Sequence, residues 1–322
     1  MVIRKRVNDM AQTLNLKSKN RQNRINSPTA DKMFNVVLMM AISIITIVLL
    51  YPLYFVLIAS FTDPKLVGSG QILLYPKNFT LAGYQNIIKN DMIWTGYGNT
   101  IFRYVIPGTI LSVLVTTMAA FSLSRRDLKG RNVIMAFYIF TMYFSGGLVP
   151  TYLLMKSLHL INNPLIIILL SAFSVYNMII ARTFFVTSIP FELQEAAMVD
   201  GCTTQRLFFS IIVPLSKPIL AVLALYNAVG HWNAYFNAMI YLQDQSYYPL
   251  QLVLRSILLS GSALEKNIST VSEAAANDVS LESIGTLAKY CVIVVSTAPI
   301  IVVYPFLQKY FVKGVMIGAV KG

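Results

Sequence analysis

Few polar side chains interrupt this chain, so those that recur at helical spacing carry most of its chemistry. Between two long apolar runs stands Glu195-Ala196-Ala197-Met198-Val199-Asp200-Gly201, followed by Val213-Pro214 and Lys217-Pro218. Pro190 suits the first turn of a helix, and Gly201 suits the residue just past its end. Phe191, Leu193, Ala196, Ala197 and Val199 give this helix an apolar side, while Glu192, Glu195 and Asp200 supply charge. The chemistry of such a set is docking against a partner outside the apolar runs. The plainer alternative is an interfacial or re-entrant helix with no partner.

A second set lies in the run 218–242. As one continuous helix at about 100° per residue, it would place Tyr226, Asn227, Gly230, Asn233, Ala234, Asn237 and Tyr241 within a face roughly 120° wide. Trp232, Phe236, Met239 and Ile240 then project elsewhere. Asparagines in an apolar run must meet polar partners or water, since hydrocarbon satisfies none of their hydrogen-bonding groups. Amides and aromatic rings are also what a neutral, hydroxyl-rich solute needs, for hydrogen bonds and for stacking. That reading makes the face the lining of a translocation path; the alternative is a helix–helix interface held by Asn and small residues. Ser174, Asn177 and Ala181 repeat the pattern more weakly. Asn99-Thr100 opens another apolar run as a cap or a path residue, and Arg103 reads as a side chain that snorkels to the interface.

Several chemistries lack their residues. No Gly-x-x-x-x-Gly-Lys-Ser/Thr loop is present, so the chain has no P-loop for ATP. The two histidines, His159 and His231, belong to no cluster with metal-ligand spacing. Cys202 and Cys291 read as isolated thiols. Asp and Glu fall in the polar connections, not within the apolar runs, which disfavours an ion-driven carrier. Energy must then come from another chain.

The elements that position these residues follow from composition. The 322 residues are 56% hydrophobic and 12% charged, with mean hydropathy +0.63. Runs of about 20 residues, at about 1.5 Å each, suffice to cross a hydrocarbon core of about 30 Å. Continuous runs without period-two alternation point to an all-α polytopic membrane protein, not a barrel. Six spans are expected, at about 33–60, 98–124, 132–155, 163–186, 218–242 and 289–310. The apolar run 33–61 is too long for a cleavable leader.

The net charge of +13 needs a map of sides before it has meaning. The N-terminal tail, 125–131, 182–217 and 309–322 carry 18 Lys and Arg, against 7 on the other connections. That split puts both termini and the Glu195 loop in the cytoplasm, and makes the basic charge a matter of orientation and anionic lipid, not nucleic acid. The expected organisation is a basic tail over 1–32, a transmembrane region over 33–311 with the loop at about 188–217, and a cytoplasmic tail over 312–322. Residues 61–97 and 243–288 read as long outer connections, the second with a helix-like Ala274-Ala275-Ala276 segment. Gly146-Gly147 with Pro150 breaks the third span, and Pro299 with Pro305 bends the sixth.

The motif Glu195-Ala196-Ala197, with Asp200-Gly201 and the later Pro214 and Pro218, resembles the EAA loop of ABC-importer permeases. Gly146-Gly147-Leu148-Val149-Pro150, His231-Trp232-Asn233 and the tail from Tyr304 to Gly322 are similar to carbohydrate-uptake permeases of the MalG-like, LplC-type group, over about residues 33–322. The resemblance implies a type I ABC-importer (MetI-like) permease fold of six helices in a bacterial plasma membrane. It implies a second homologous permease, two ATPase subunits that bind ATP and Mg, an extracellular solute-binding lipoprotein and a carbohydrate substrate, with oligosaccharide the best class. It places Glu192, Glu195, Ala196, Ala197, Asp200 and Gly201 at the ATPase, and the tail 312–322 between the ATPases. No cofactor is expected in this chain, and no reaction on the solute. A stand-alone carrier or channel, or a sensor scaffold, is the rival.

Overall fold

A computed structural model describes residues 29–63, 66–67, 70–71, 74–268, 289–302 and 305. Among these the chain is helical and forms no strand; a lone antiparallel bridge pairs Thr62 with Phe79. The chain divides into two compact units, Met1–Phe55 and Val56–Gly322. The first holds most of helix α1 (Thr29–Ser60), whose side chains from Met33 to Tyr54 are all exposed. Val, Ile, Leu and Met on every side suit a helix whose solvent is hydrocarbon.

The second unit opens with a self-closed connection. Phe61 stacks on Phe79 at 5.5 Å and lies 5.1 Å from Tyr84, whose hydroxyl meets Ser60 Oγ at 2.8 Å. Helices α2 (Ala82–Ile88) and α3 (Asp91–Gly98) follow, the latter capped by Asn90. A π-helical stretch, Asn99–Val105, carries the chain into α4 (Ile106–Ser124), so Asp91–Ser124 forms one helical run long enough to cross a membrane. Next come α5 (Arg131–Tyr143) and α6 (Leu148–Ser157), bent by 109° across the expected glycine pair, with Gly147 at φ +86°.

Helices α7 (Leu165–Leu170), α8 (Val175–Ser188) and α9 (Phe191–Val199) precede a helical run α10 (Thr204–Leu215). That run meets α11 (Lys217–Trp232) at 83°. The corner is Ser216, fully buried, whose hydroxyl donates to Ile212 O at 2.6 Å between Pro214 and Pro218. Helices α12 (Phe236–Tyr241), α13 (Leu250–Ile268) and α14 (Lys289–Val302) complete the described residues.

The six-span expectation is therefore not reproduced helix for helix. Met33–Ser60 and Asp91–Ser124 are unbroken candidates, two bent pairs qualify together, and the apolar helices Leu250–Leu259 and Lys289–Val302 are shorter. The second span begins earlier than expected, near Asp91, because the π-helical stretch continues the backbone ladder through Asn99. The fourth is interrupted between Leu170 and Val175, where Ser174 accepts from Asn177 N at 3.3 Å and caps a new helix.

The fifth stops at Trp232. Asn233 donates from Nδ2 to Val229 O at 3.0 Å while its own N–H takes the same carbonyl at 3.1 Å, and the last turn closes on itself. The connection over 243–288, expected as an outer loop, is also not simply a loop, since α13 occupies Leu250–Ile268. Its Leu250, Val253, Leu254, Ile257 and Leu258 pack with Ile93, Cys291 and Val292. Pro299 lies inside α14. The Ala274-Ala275-Ala276 segment, the N-terminal tail 1–28 and the C-terminal tail 312–322 lie outside the described residues.

Close approaches fix the helix crossings. Gly108 of α4 faces the ring of His231 on α11 so closely that a Cβ there would sit 2.5 Å from Nε2. Gly96 meets the backbone of Leu250 in the same way, with a Cβ position 3.1 Å from its Cα. Only glycine permits backbones to come this near.

Candidate functional site

Helix α9 owes its ends to local sequence. Pro190 stands at its N-cap with extended backbone. At the other end Gly201 takes φ +76°, its N–H donates to Met198 O at 3.0 Å, and Cys202 N donates to Ala197 O at 2.9 Å. This paired closure is a Schellman motif, and the Cys202 side chain adds the apolar contact that accompanies it. Thr203 then accepts from Arg206 N at 3.3 Å and starts α10 toward the apolar region. Gly201 thus reverses the chain in one residue.

Beneath α9 lies a plinth of rings and small residues. Gln194 and Ala197 are its buried positions. Ala197 joins a cluster with Phe121, Phe185, Leu207 and Phe208. Phe121 lies 5.2 Å from Phe208 and 6.4 Å from Phe185, the latter edge-on. Arg182 Nε donates to Leu123 O at 2.9 Å and so ties α8 to the end of α4. The opposite side of α9 is open: Glu192, Glu195, Ala196, Asp200 and Gly201 are exposed, together with Leu193, Met198 and Val199, the last 87% exposed.

The basic turn between α4 and α5 grips α9 from the side. The Arg126 guanidinium lies 4.7 Å from the Phe191 ring centroid. Arg125 reaches Met198 Sδ at 3.6 Å while clasping Asp127 through Nε and Nη2 at 2.8 and 2.5 Å. The hydrogen bond from Arg125 holds the Asp127 carboxyl below its ordinary range, and the same bond raises the guanidinium. Sequence reading counted these arginines only as orientation charges. Their contact with α9 brings together residues 65 or more positions apart, and no local pattern announces it.

The residues of the expected polar face are divided by the structure. Tyr226, Asn227 and Gly230 lie on α11, Asn233 caps it, and Asn237 and Tyr241 belong to α12. One continuous face is thus corrected to two short ones, because the helix ends at Asn233. Asn227 donates from Nδ2 to Leu223 O at 2.8 Å, and Asn233 to Val229 O. Tyr226, Gly230 and Asn233 are exposed, while Asn227 and Asn237 are half-buried. Tyr241 is 2% exposed, stacked on Tyr152 at 5.9 Å. Asn177 is buried in the first turn of α8 and does not join the α11 residues in one open surface.

Asn99, Thr100 and Arg103 hold a loop. Asn99 Nδ2 donates to Ser246 O and Tyr248 O at 2.7 and 3.1 Å, and Thr100 Oγ1 accepts from Leu250 N at 2.8 Å. Arg103 does not simply snorkel: it donates to Asn99 Oδ1 at 3.0 Å and lies 5.2 Å from the Tyr247 ring centroid. Asn162 was passed over in the sequence. At φ +58° it accepts from Gln243 N and Asp244 N, both at 2.9 Å, clamping the chain after α12. Among the described residues no group of His, Cys, Asp or Glu has metal-site geometry.

Residues 112–317 match the family described as binding-protein-dependent transport system inner membrane component. A polygalacturonan/rhamnogalacturonan transport system permease protein of Bacillus subtilis, YtcP, is 37% identical over 91% of this chain and 99% of its own. Protein LplC of the same organism is 36% identical over 91% and 96%. A crystal structure of a bacterial ABC transporter involved in the import of the acidic polysaccharide alginate superposes with TM-score 0.77 and 31% identity, covering 88% of this chain and 98% of that one. The chain belongs to the binding-protein-dependent transport system inner membrane components, and it is a permease subunit of an ABC importer whose ATPase is a separate chain.

Proposed function

We propose that this subunit serves the import of an oligosaccharide and that α9 is its coupling helix. The observation that carries the proposal is a short helix with one face locked into an aromatic plinth and the other, with Glu192, Glu195 and Val199, left open. A rigid base under an open face suits transmission of force to α8 and α10. On this reading both termini and α9 lie in the cytoplasm, and closure of two ATPase subunits on ATP and Mg moves α9 as a lever. A second, homologous permease supplies the other half of the path, and an extracellular solute-binding lipoprotein delivers the sugar. Two states that differ in ATPase contact are the thermodynamic requirement for such coupling.

The carbohydrate class is supported by the names of the relatives and by the amide and aromatic residues around α11. Asn227 and Asn233 each commit one N–H to their own helix and keep Oδ1 and the second N–H for a hydroxyl. The same bonds favour a second reading for these two residues, as helix-end fasteners. Tyr226 and Gly230, both exposed on α11, stand beside them in the path assignment.

Val199→Cys in a Cys202→Ser background tests the lever directly. Alkylated with a thiol-reactive, photoactivatable cross-linker, the Cys at 199 is expected to cross-link to an ATPase subunit on illumination, with a yield that changes when nucleotide is bound. Failure to cross-link in any nucleotide state would overturn the assignment.

A further inference from the structure

Where α11 gives way to α12, a cavity of about 260 Å³ opens between that turn and the helices α13 and α14. Tyr235 lines it from the turn, Gln251 and Arg255 from α13, and Ser296 from α14, with Leu254 and Ile293 among its apolar lining. Gln251 and Arg255, four residues apart, fall on one side of their helix. The Trp232 indole N–H donates to Ser296 O at 3.3 Å and pins the end of α11 to α14. Tyr235 stands in the chain between Asn233 and Asn237, so the cavity opens beside residues assigned to the path.

Arg255 is the one charge in this lining. Its guanidinium carbon lies 5.3 Å from the Tyr235 ring centroid, and Nη1 meets Met239 Sδ. Among the described residues Nε and Nη2 have no partner, and neither is shut from water. No carboxylate pairs with the guanidinium there, and none lines the cavity. The half-buried cation has thus given up part of its water without gaining a countercharge.

Nε and Nη2 form one edge of the guanidinium fork, which takes both oxygens of a carboxylate in parallel. Arg125 clasps Asp127 through the same edge elsewhere in this chain. The Gln251 amide adds a donor and an acceptor for hydroxyls, and the apolar lining suits the C–H face of a sugar ring. The volume falls short of the roughly 300–1,000 Å³ of a whole-ligand pocket and suits one ring of a longer chain.

We propose that this cavity is a subsite for one uronic acid residue of the imported oligosaccharide, its carboxylate on Nε and Nη2 of Arg255 and a ring hydroxyl on Gln251. The proposal rests on the oligosaccharide reading and adds to it that the solute is anionic.

The test is uptake by proteoliposomes that hold the whole transporter with its binding protein outside. They are given a panel of labelled uronic acid trisaccharides, their methyl esters and neutral hexose trisaccharides. Wild type is expected to take up a free acid in preference to its ester. Arg255→Gln should lower that acid-to-ester ratio about tenfold, the loss of one charge-assisted pair. Arg255→Lys, which keeps the charge without the fork, should retain part of the preference, and Gln251→Leu should lower uptake of acid and ester alike. An unchanged ratio in Arg255→Gln, or an equal loss of acid and ester in that variant, would overturn the subsite. Weaker capture of the binding protein by Arg255→Gln, with the ratio kept, would give the guanidinium to an acid of that protein instead. Uptake of neutral trisaccharides alone by wild type would overturn the subsite and leave the import reading standing. Uptake of no sugar in the panel would take down both.

Discussion

At the scale of single residues, two glycines carry the geometry. Gly201 holds φ +76° with nothing within 4 Å of a would-be Cβ, so Gly201→Ala meets backbone strain alone. It should cost about 1 kcal/mol, seen as a lower Tm of the purified subunit, and it should weaken coupling more than membrane insertion. Gly108 is the opposite case, because its φ is ordinary and the ring of His231 fills the space. Gly108→Ala should destabilise by about 1–3 kcal/mol. The double variant with His231→Ala should recover most of that loss, and a thermal unfolding series reads both. Lack of recovery would mean that the contact is not what sets this crossing. The Arg125–Asp127 clasp holds at neutral pH and fails only in acid. Its carboxylate is lowered, so the stability it contributes is present at neutral pH and is lost as pH falls through the lowered value.

At the scale of elements, the loop helix was readable in the sequence and the fifth span was not, for the same kind of reason. Every signal that bounds α9 is local: Pro190 before it, Gly201 after it, acids in its first half. The end of α11 is set by Asn233, a residue that sits equally well on the face of a longer helix until its amide claims the Val229 carbonyl. No Pro or Gly marks the stop. Helix α13 was missed despite a clear stripe, with Leu250, Val253, Leu254, Ile257 and Leu258 at three- and four-residue spacing. Its modest hydropathy beside the true spans hid it, and periodicity would have found it. The plinth of Phe121, Phe185 and Phe208 had no sequence signature, because three separate helices assemble it. A substitution separates the two readings of the polar residues: Asn233→Leu and Asn237→Leu are expected to reduce solute uptake while ATPase assembly persists. Unchanged uptake in both variants would leave these amides as helix fasteners.

At the scale of the whole molecule, the family makes this chain a permease subunit and leaves hydrolysis to another chain, so the work proposed for its surfaces is docking. The all-α class and the family were readable from the apolar runs and the Glu195 motif. The division of spans into bent pairs was readable only at Gly146-Gly147. The account requires that force reach the permease through the exposed acids of α9, and one measurement tests this most directly. The subunit is purified in mild detergent, wild type beside Glu195→Lys, and its bound proteins are identified. Wild type should bring down a second permease and an ATPase. The variant should keep the permease and lose about tenfold or more of the ATPase, which a penalty of about 1.4 kcal/mol at the contact suffices to produce. Full ATPase recovery with Glu195→Lys, or a wild-type subunit that comes down alone and stable, would contradict the account.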